Sequence, residues 1–281
     1  MSADIGALLR VEPGSGPVDL SALDPRSTPG TDAGKSAAKA ELDKIGPQLA
    51  DLQERLYAHG RSDGVRRVLL VLQGMDTSGK GGAVKHVAGR MNPAGLRITS
   101  FGPPTEQERA HDFLWRIEKA LPAAGLIGVF DRSHYEDVLI ARVHDLVPRS
   151  EWEARYDRIN AWESGLATHG VVLLKVMLHL SADEQKARLL ARLDDPTKHW
   201  KVNPGDIDER AHWPAYQQAY EAMLQRCSTE IAPWYVVPAD RKWYRNWALS
   251  HLVLETLQGM DLQWPAPALD LDGMRAALQA S

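Results

Sequence analysis

The chain has 281 residues, 44% of them hydrophobic, with a formal net charge of −4; that is enough apolar material for one substantial core, near the upper size that one core serves. Nothing in the charge total demands a nucleic-acid partner, so a polyanionic substrate would have to meet a local concentration of Lys and Arg. The single cysteine, Cys227, excludes an internal disulfide framework and a cysteine-based zinc cluster, suits a reducing compartment, and is most simply a small buried residue.

The N-terminal segment MSADIGALLRVEPG lacks the basic region and the apolar length of an export signal, and the most apolar later run, Val171–Leu180, is broken by Lys175 and His179. A soluble, cytoplasmic protein with no membrane partner is therefore expected. Residues 1–34 carry five Gly and four Pro, which predicts a flexible or extended N-terminal arm. A helical pattern follows from Ser36 to about His59, with an interruption expected at Gly46-Pro47. Next come a strand over Val65–Gln73, a helix over Lys80–Met91 stopped by Asn92-Pro93, a strand over Leu96–Phe101 and a helix over Glu106–Lys119. The alternation continues with strand Leu126–Phe130, a helical segment around Tyr135–Val143, helix Ser150–Thr168, strand Val171–Leu180 and helix Asp183–Leu193. A polar loop at 194–205, a helix from Asp208 to about Glu230, strand Trp234–Val237 and helix Lys242–Leu257 complete the core, and 266–281 reads as a peripheral tail. Alternating apolar strands and helices predict an α/β fold, a parallel sheet covered by helices on both faces, with ligands beyond the carboxyl ends of the strands.

Three segments carry chemistry. The first is Gly74-Met-Asp76-Thr77-Ser78-Gly79-Lys80-Gly81-Gly82, between a predicted strand and a predicted helix. Its G-x-x-x-x-G-K spacing allows successive backbone N–H groups to face one anion, adds the positive end of the helix and supplies a lysine. Gly81 stands where a Ser or Thr usually holds Mg²⁺, and Asp76 is the obvious substitute. The plainer alternative is a Gly-rich turn that only joins two elements.

The second segment is the strand ending Phe130-Asp131-Arg132-Ser-His-Tyr-Glu136-Asp137. A strand-terminal aspartate can present a carboxylate to Mg²⁺, and Arg132 can clamp phosphate oxygens; the alternatives are a turn aspartate and a salt bridge to Glu136 or Asp137. His134 and Tyr135 read equally well as packing residues. The third segment, 186–201, has five cations in sixteen residues, among them Arg188, Arg192, Lys198 and Lys201. Arg188 and Arg192 share one helix face. The Pro- and Gly-flanked loop has the character of a lid closing over a charged substrate, against the alternative of a solvated face with Arg188 paired to Glu184. Trp200 suits either stacking on a nucleobase or pinning the lid to the body.

With these blocks the chain resembles the polyphosphate kinase 2 family, through Gly74–Gly82, Phe130–Asp137, and Arg192–Lys201 with Asp208 and Arg210 behind it. The similarity runs from about Leu23 to Pro265. It implies a P-loop kinase-like domain at 35–265 with a helical lid at about 188–210, acting as a dimer or tetramer. The implied reaction moves the terminal phosphoryl of inorganic polyphosphate to a nucleoside mono- or diphosphate with Mg²⁺, for which Mn²⁺ can substitute. By position, Asp76 and Asp131 would hold the metal, while Lys80 and Arg132 would neutralise the transferred phosphoryl. Arg188, Arg192, Lys198 and Lys201 would grip the polyphosphate. Gly74, Thr77, Ser78, Gly79, Gly81, Gly82 and Glu136 complete the expected substrate contacts. The run Ser133–Asp137 resembles the AMP-accepting kind, whereas Gly81 departs from the Asp of some members that accept both AMP and ADP. Three rivals stand beside this reading: an ATP-dependent kinase using the same loop, a nucleotide switch, which the lack of an Asn-Lys-x-Asp segment disfavours, and a nucleic-acid binder, since polyphosphate mimics a nucleic-acid backbone, which absence of salt-sensitive DNA or RNA binding would dismiss.

Overall fold

A computed structural model of the chain describes residues 4–62, 64–267 and 269–281. The elements are α1 (Ile5–Leu9), α2 (Lys35–Arg61), β1 (Arg67–Gln73), α3 (Lys80–Ala88), β2 (Leu96–Ser100), α4 (Glu106–Arg109), α5 (Trp115–Ala120), β3 (Ile127–Asp131), α6 (Ile140–Val143), α7 (Arg149–Thr168), β4 (Val171–His179), α8 (Ala182–Leu193), α9 (Gly205–Ala211), α10 (Trp213–Cys227), β5 (Trp234–Pro238), α11 (Lys242–Gly259) and α12 (Leu271–Ala280). The five strands form one parallel sheet in the order β2-β3-β1-β4-β5. Helices cover both faces, as the alternating pattern requires. No helix among the described residues is long and apolar enough to cross a membrane.

The two-residue period of the strands splits the core. Val68, Leu70 and Leu72 of β1 pack with α2, α3 and α11, while Leu69 and Val71 face the cluster made with α5, α7 and α10. A strand buried on both sides reads as the continuous apolar run seen in the sequence. The chain leaves β1 toward β2 and β3 on one side and later returns to β4 and β5 on the other, so the end of β1 is the topological switch point.

Several boundaries differ from the sequence expectation for identifiable reasons. Helix α2 runs unbroken through Pro47. A proline there removes the N–H that would bond the Asp43 carbonyl, and Arg90 supplies donors to that turn, to the Leu42 carbonyl at 2.9 Å and the Asp43 carboxylate at 3.4 Å. The helix expected over Glu106–Lys119 is two, because the Asp112 carboxylate accepts from Leu114 N–H and opens a new helix. The one expected from Asp208 is likewise two, divided at His212 before Pro214. A 3₁₀ turn, Pro196–Lys201, occupies part of the expected polar loop.

The arm expected to be flexible is packed on the body over residues 4–34. Ile5, Leu9 and Leu20 are buried, Glu255 accepts the Ile5 and Gly6 N–H groups, Val11 N–H bonds the Trp234 carbonyl, and Tyr244 Oη donates to the Pro29 carbonyl. Its Gly and Pro content permits an irregular path rather than mobility. Residues 1–3 of the arm, 63 of the core and 268 of the tail lie outside the described residues. The tail carries α12, whose residues are all exposed.

One buried ion pair fixes the layer between β4 and α7. Lys175 Nζ donates to Glu163 Oε2 at 2.6 Å, to Tyr135 Oη at 2.9 Å and to the Cys227 carbonyl at 2.7 Å. Glu163 Oε1 accepts from Tyr135 Oη at 2.7 Å and lies 3.2 Å from His134 Nε2. His134 and Tyr135 are thus packing residues that hold the turn after β3. Removing one partner strands a buried charge, so Lys175→Ala is expected to cost about 3–5 kcal/mol and Lys175→Met with Glu163→Leu considerably less. Urea unfolding of both variants checks the order.

Candidate active site

Strands β1 and β3 are neighbours with Leu72 opposite Asp131, so the register sets loop 74–79 beside Asp131 and Arg132. The loop ends on Gly79 at φ +97°, from which α3 starts. A Cβ at Gly79 would lie 1.8 Å from Arg245 Nη1, so glycine is required for both conformation and space. The amides of Lys80, Gly81 and Gly82 belong to the first turn of α3, where no intrahelical acceptor exists, and the helix dipole favours an anion there.

A cavity of about 430 Å³ opens over this turn, lined by Asp76, Thr77, Gly79, Lys80, Gly81, Gly82, Asp131, Arg132, Arg192, Lys201 and the segment Ser100–Gly102. The geometry therefore joins the glycine loop, the end of β3 and the lid at one place. Lys80 is 8% exposed, and its ammonium donates to the Gly74 carbonyl at 2.7 Å, drawn back over the loop. Burial pulls its pKa below the ordinary lysine value, against the opposing pull of Asp76. Arg132 and Thr77 both have φ 63°, a left-handed conformation uncommon outside glycine and concentrated at functional sites. The Thr77 hydroxyl is buried without a partner among the described residues, as suits a donor waiting for a ligand oxygen.

Asp76 Oδ1 accepts from Arg132 Nη2 at 2.7 Å, and this pair divides two cavities. The second, about 200 Å³, is lined on one side by Gly74, Asp76, Arg132 and Glu136, and on the other by Asn203, Asp206, Glu209, Tyr216 and Tyr220. Glu136 belongs there and not in the loop cavity. Burial raises its pKa although Arg132 and Lys80 oppose the shift. The Gln73 amide, oriented with its N–H toward Glu136 at 3.0 Å and its oxygen toward the Ser133 hydroxyl at 3.0 Å, holds the carboxylate in place. Burial, and then the charge of Asp76, raises the pKa of Asp206.

Other expected contacts lie elsewhere. Arg188 does not line the cavity: it sits beneath the loop, 8% exposed, donating to the carbonyls of Thr77, Ser78, Ala239 and Asp240 and to Glu184. In this structure its guanidinium is committed to the backbone and to Glu184, away from the cavity. Lys198 is half exposed and paired with Asp195 at 2.6 Å, outside both cavities, because the 3₁₀ turn directs it to the surface. Trp200 is 78% exposed and neither pins the lid nor lines either of these cavities. Ser78 is fully buried and contributes through its backbone carbonyl, accepting from Arg188.

Sequence reasoning missed Arg245 and Gln185. Arg245, 4% exposed, lies under Gly79 and Gly82, its Nη1 reaching the Ser78 carbonyl at 3.4 Å and its Nε and Nη2 the Asn246 amide oxygen. Burial, reinforced by Arg188, lowers its pKa to about 10. Gln185 donates to the Asp76 carbonyl at 3.0 Å and accepts from Arg210 Nη1 at 2.7 Å, linking α9 of the lid to the loop. Arg245 lies far along the chain from any motif, and Gln185 is an unremarkable helix residue, so no sequence signal marks either.

A parallel sheet whose switch point carries a glycine loop, a loop lysine and a cationic lid segment around one cavity defines a phosphate-loop protein of the kinase type. The family described as Polyphosphate kinase 2 (PPK2) matches residues 32–265, and the chain belongs to that family. It is 48% identical over 258 residues, 92% of this chain and 95% of the relative, to an AMP/ADP-polyphosphate phosphotransferase of Meiothermus ruber. An ADP-polyphosphate phosphotransferase of Rhodopseudomonas palustris is 43% identical over 78% of each chain. The crystal structure of Polyphosphate Kinase 2 from Arthrobacter aurescens TC1 superposes with a TM-score of 0.96 at 51% identity, covering 100% of this chain and 98% of that one.

The raised pKa of Glu136 has a stability consequence. Its ionised form is disfavoured in the fold, so the stability tied to its protonated form is complete below the unfolded value of about 4.3 and is lost as pH rises through the higher folded value. Glu136→Gln is therefore expected to raise Tm at pH 7, with the gain vanishing near pH 4. Thermal melts of wild type and variant at both pH values check the sign.

Proposed function

We propose that this chain transfers the terminal phosphoryl group of inorganic polyphosphate to AMP, ADP or both. The observation that carries the reading is the loop cavity, where Lys80, Arg132, Arg192 and Lys201 face the first-turn amides of α3. The names of relatives 48% and 43% identical to this chain supply the donor and the acceptors. In this reading the end of the polyphosphate lies along the loop amides, and the acceptor phosphate approaches from the side of Glu136, Tyr216 and Tyr220. The two meet across the Asp76–Arg132 pair.

A phosphate oxygen is already largely ionised at neutral pH, so the attack needs no strong base. Catalysis then rests on holding the two phosphates in line and neutralising charge on the transferring group. Arg132, fixed by Asp76, and Lys80 are placed for that neutralisation. Arg192 also reaches toward the Lys201 carbonyl and the Asp206 carboxylate, each at 3.4 Å, which braces the lid segment where it lines the cavity.

The donor set fits Mg²⁺, with Mn²⁺ as a substitute. Asp76, which keeps Oδ1 on Arg132, and Asp131 both line the loop cavity and offer hard carboxylate oxygens, and a Cβ at Gly81 would meet only Asp131 Oδ2, at 3.9 Å. Two carboxylates with open space suit an ion that completes its shell with waters and substrate phosphates. When bound, the ion would screen phosphate charge and orient the oxygens. In the same reading the enzyme is a cytoplasmic homo-oligomer with no nucleic-acid partner. The exposed stripe Leu271, Met274 and Leu278 on α12 supports self-association.

Purified protein given long-chain polyphosphate, Mg²⁺ and AMP or ADP is expected to form ADP or ATP. Product only with ATP as donor to a metabolite would replace the reading with that of an ATP-dependent kinase. Lys80→Ala is expected to lower kcat by about 10²–10³-fold, measured beside an unchanged circular dichroism spectrum. Asp131→Asn is expected to move the Mg²⁺ titration midpoint upward, and an identical titration would make Asp131 structural.

A further inference from the structure

The loop cavity does not end at the loop. Its wall at Ser100, Phe101 and Gly102 is shared with a second hollow of about 270 Å³ that runs along β2 to Arg97, Arg116 and Lys119. Strand β2 is the edge of the sheet, so this hollow opens to water along its length. Among the described residues Glu108 is the only carboxylate in its wall. The two hollows together set seven cations, Lys80, Arg132, Arg192 and Lys201 followed by Arg97, Arg116 and Lys119, against three carboxylates. A chain whose net charge is −4 thus concentrates positive potential on one continuous strip.

Arg97 and Lys119 are held in ways that leave their charge uncancelled, while Arg116, largely buried, shares a long ion pair with Glu108. Arg97 donates to the carbonyls of Leu121 and Lys119, at 2.8 and 2.7 Å. Arg116 donates to the Gly102 carbonyl at 2.9 Å, with Glu108 further off at 3.9 Å. Lys119 Nζ stands 3.4 Å from the centre of the Trp115 ring, an aromatic face that orients a cation without neutralising it. Carbonyls at the end of α5 and a ring on its surface therefore preorganise the cations beside the path out of the catalytic cavity.

We propose that Arg97, Arg116 and Lys119 form an outer track for the linear phosphate chain that trails behind the transferring end. The proposal rests on the kinase reading above and adds to it a chain-length selectivity. A donor of three phosphoryl units is held by the loop cavity alone, whereas a long chain also follows the edge of β2.

The test compares long-chain polyphosphate with tripolyphosphate on wild type, Lys119→Glu and the double variant with Arg97→Gln. The double variant is expected to lose about tenfold in kcat/KM for the long chain and less than about twofold for tripolyphosphate. The salt dependence of long-chain KM should flatten in parallel. Equal losses on both donors, or none on either, would overturn the track. Arg97 also caps α5, so if the double variant fails to fold, Lys119→Glu, a change at an exposed side chain, decides the point through the same ratio. Calorimetric binding of both donors gives that ratio without turnover. A wild type that transfers nothing from any polyphosphate would therefore defeat the kinase reading, while the affinity ratio still judged the track.

Discussion

The site depends on a loop of backbone held open for an anion, and two buried arginines hold it. Arg188 donates to the Thr77 and Ser78 carbonyls and, with its other nitrogen, to those of Ala239 and Asp240. One guanidinium thereby ties the end of β5 to the loop. Because Arg188 belongs to α8, the first element of the lid, the same contact anchors the base of the lid to the phosphate site. Arg245 completes the support from α11. Arg188 is paired with Glu184, but Arg245 has no carboxylate partner among the described residues, which is unfavourable in isolation, and burial accordingly lowers its pKa. An anion bound above the loop would relieve that field, so the support and the ligand preference have one electrostatic origin.

The charge is sorted by side. Cations converge on the loop cavity, whereas Glu136, Asp206 and Glu209 gather with Tyr216 and Tyr220 behind the Asp76–Arg132 pair. A single ion pair at the boundary faces both spaces. Lid and loop are linked through Arg210, Gln185 and the Asp76 carbonyl, so movement of α9 bears directly on the boundary residue.

Much of this was legible in the sequence because it is local. The apolar run of β1, the glycine spacing and Lys80 are contiguous, and the strand ending at Asp131 is a second short-range signal. Their meeting follows from strand order. What local pattern could not give was the direction of a side chain. Arg188 and Arg192 share a helix face by spacing, yet one is buried in carbonyls and the other lines the cavity, because the loop passes over only the first. Lys198 and Lys201 are three residues apart, but the 3₁₀ turn sends Lys198 to Asp195 at the surface. The N-terminal arm misled for a related reason: Gly and Pro exclude regular structure, but the burial of Ile5 and Leu20 is decided by β5, α10 and α11, far along the chain. Arg245 and the uninterrupted passage of α2 through Pro47 likewise depend on partners that no window of sequence contains.

The most direct test is a crystal structure with a non-hydrolysable polyphosphate analogue bound. The account requires the terminal phosphorus against the amides of Lys80, Gly81 and Gly82, within reach of Arg132, with Arg188 still bonded to the Thr77 and Ser78 carbonyls. A chain bound away from the loop, or Arg188 released from beneath it to contact the phosphates, would contradict it.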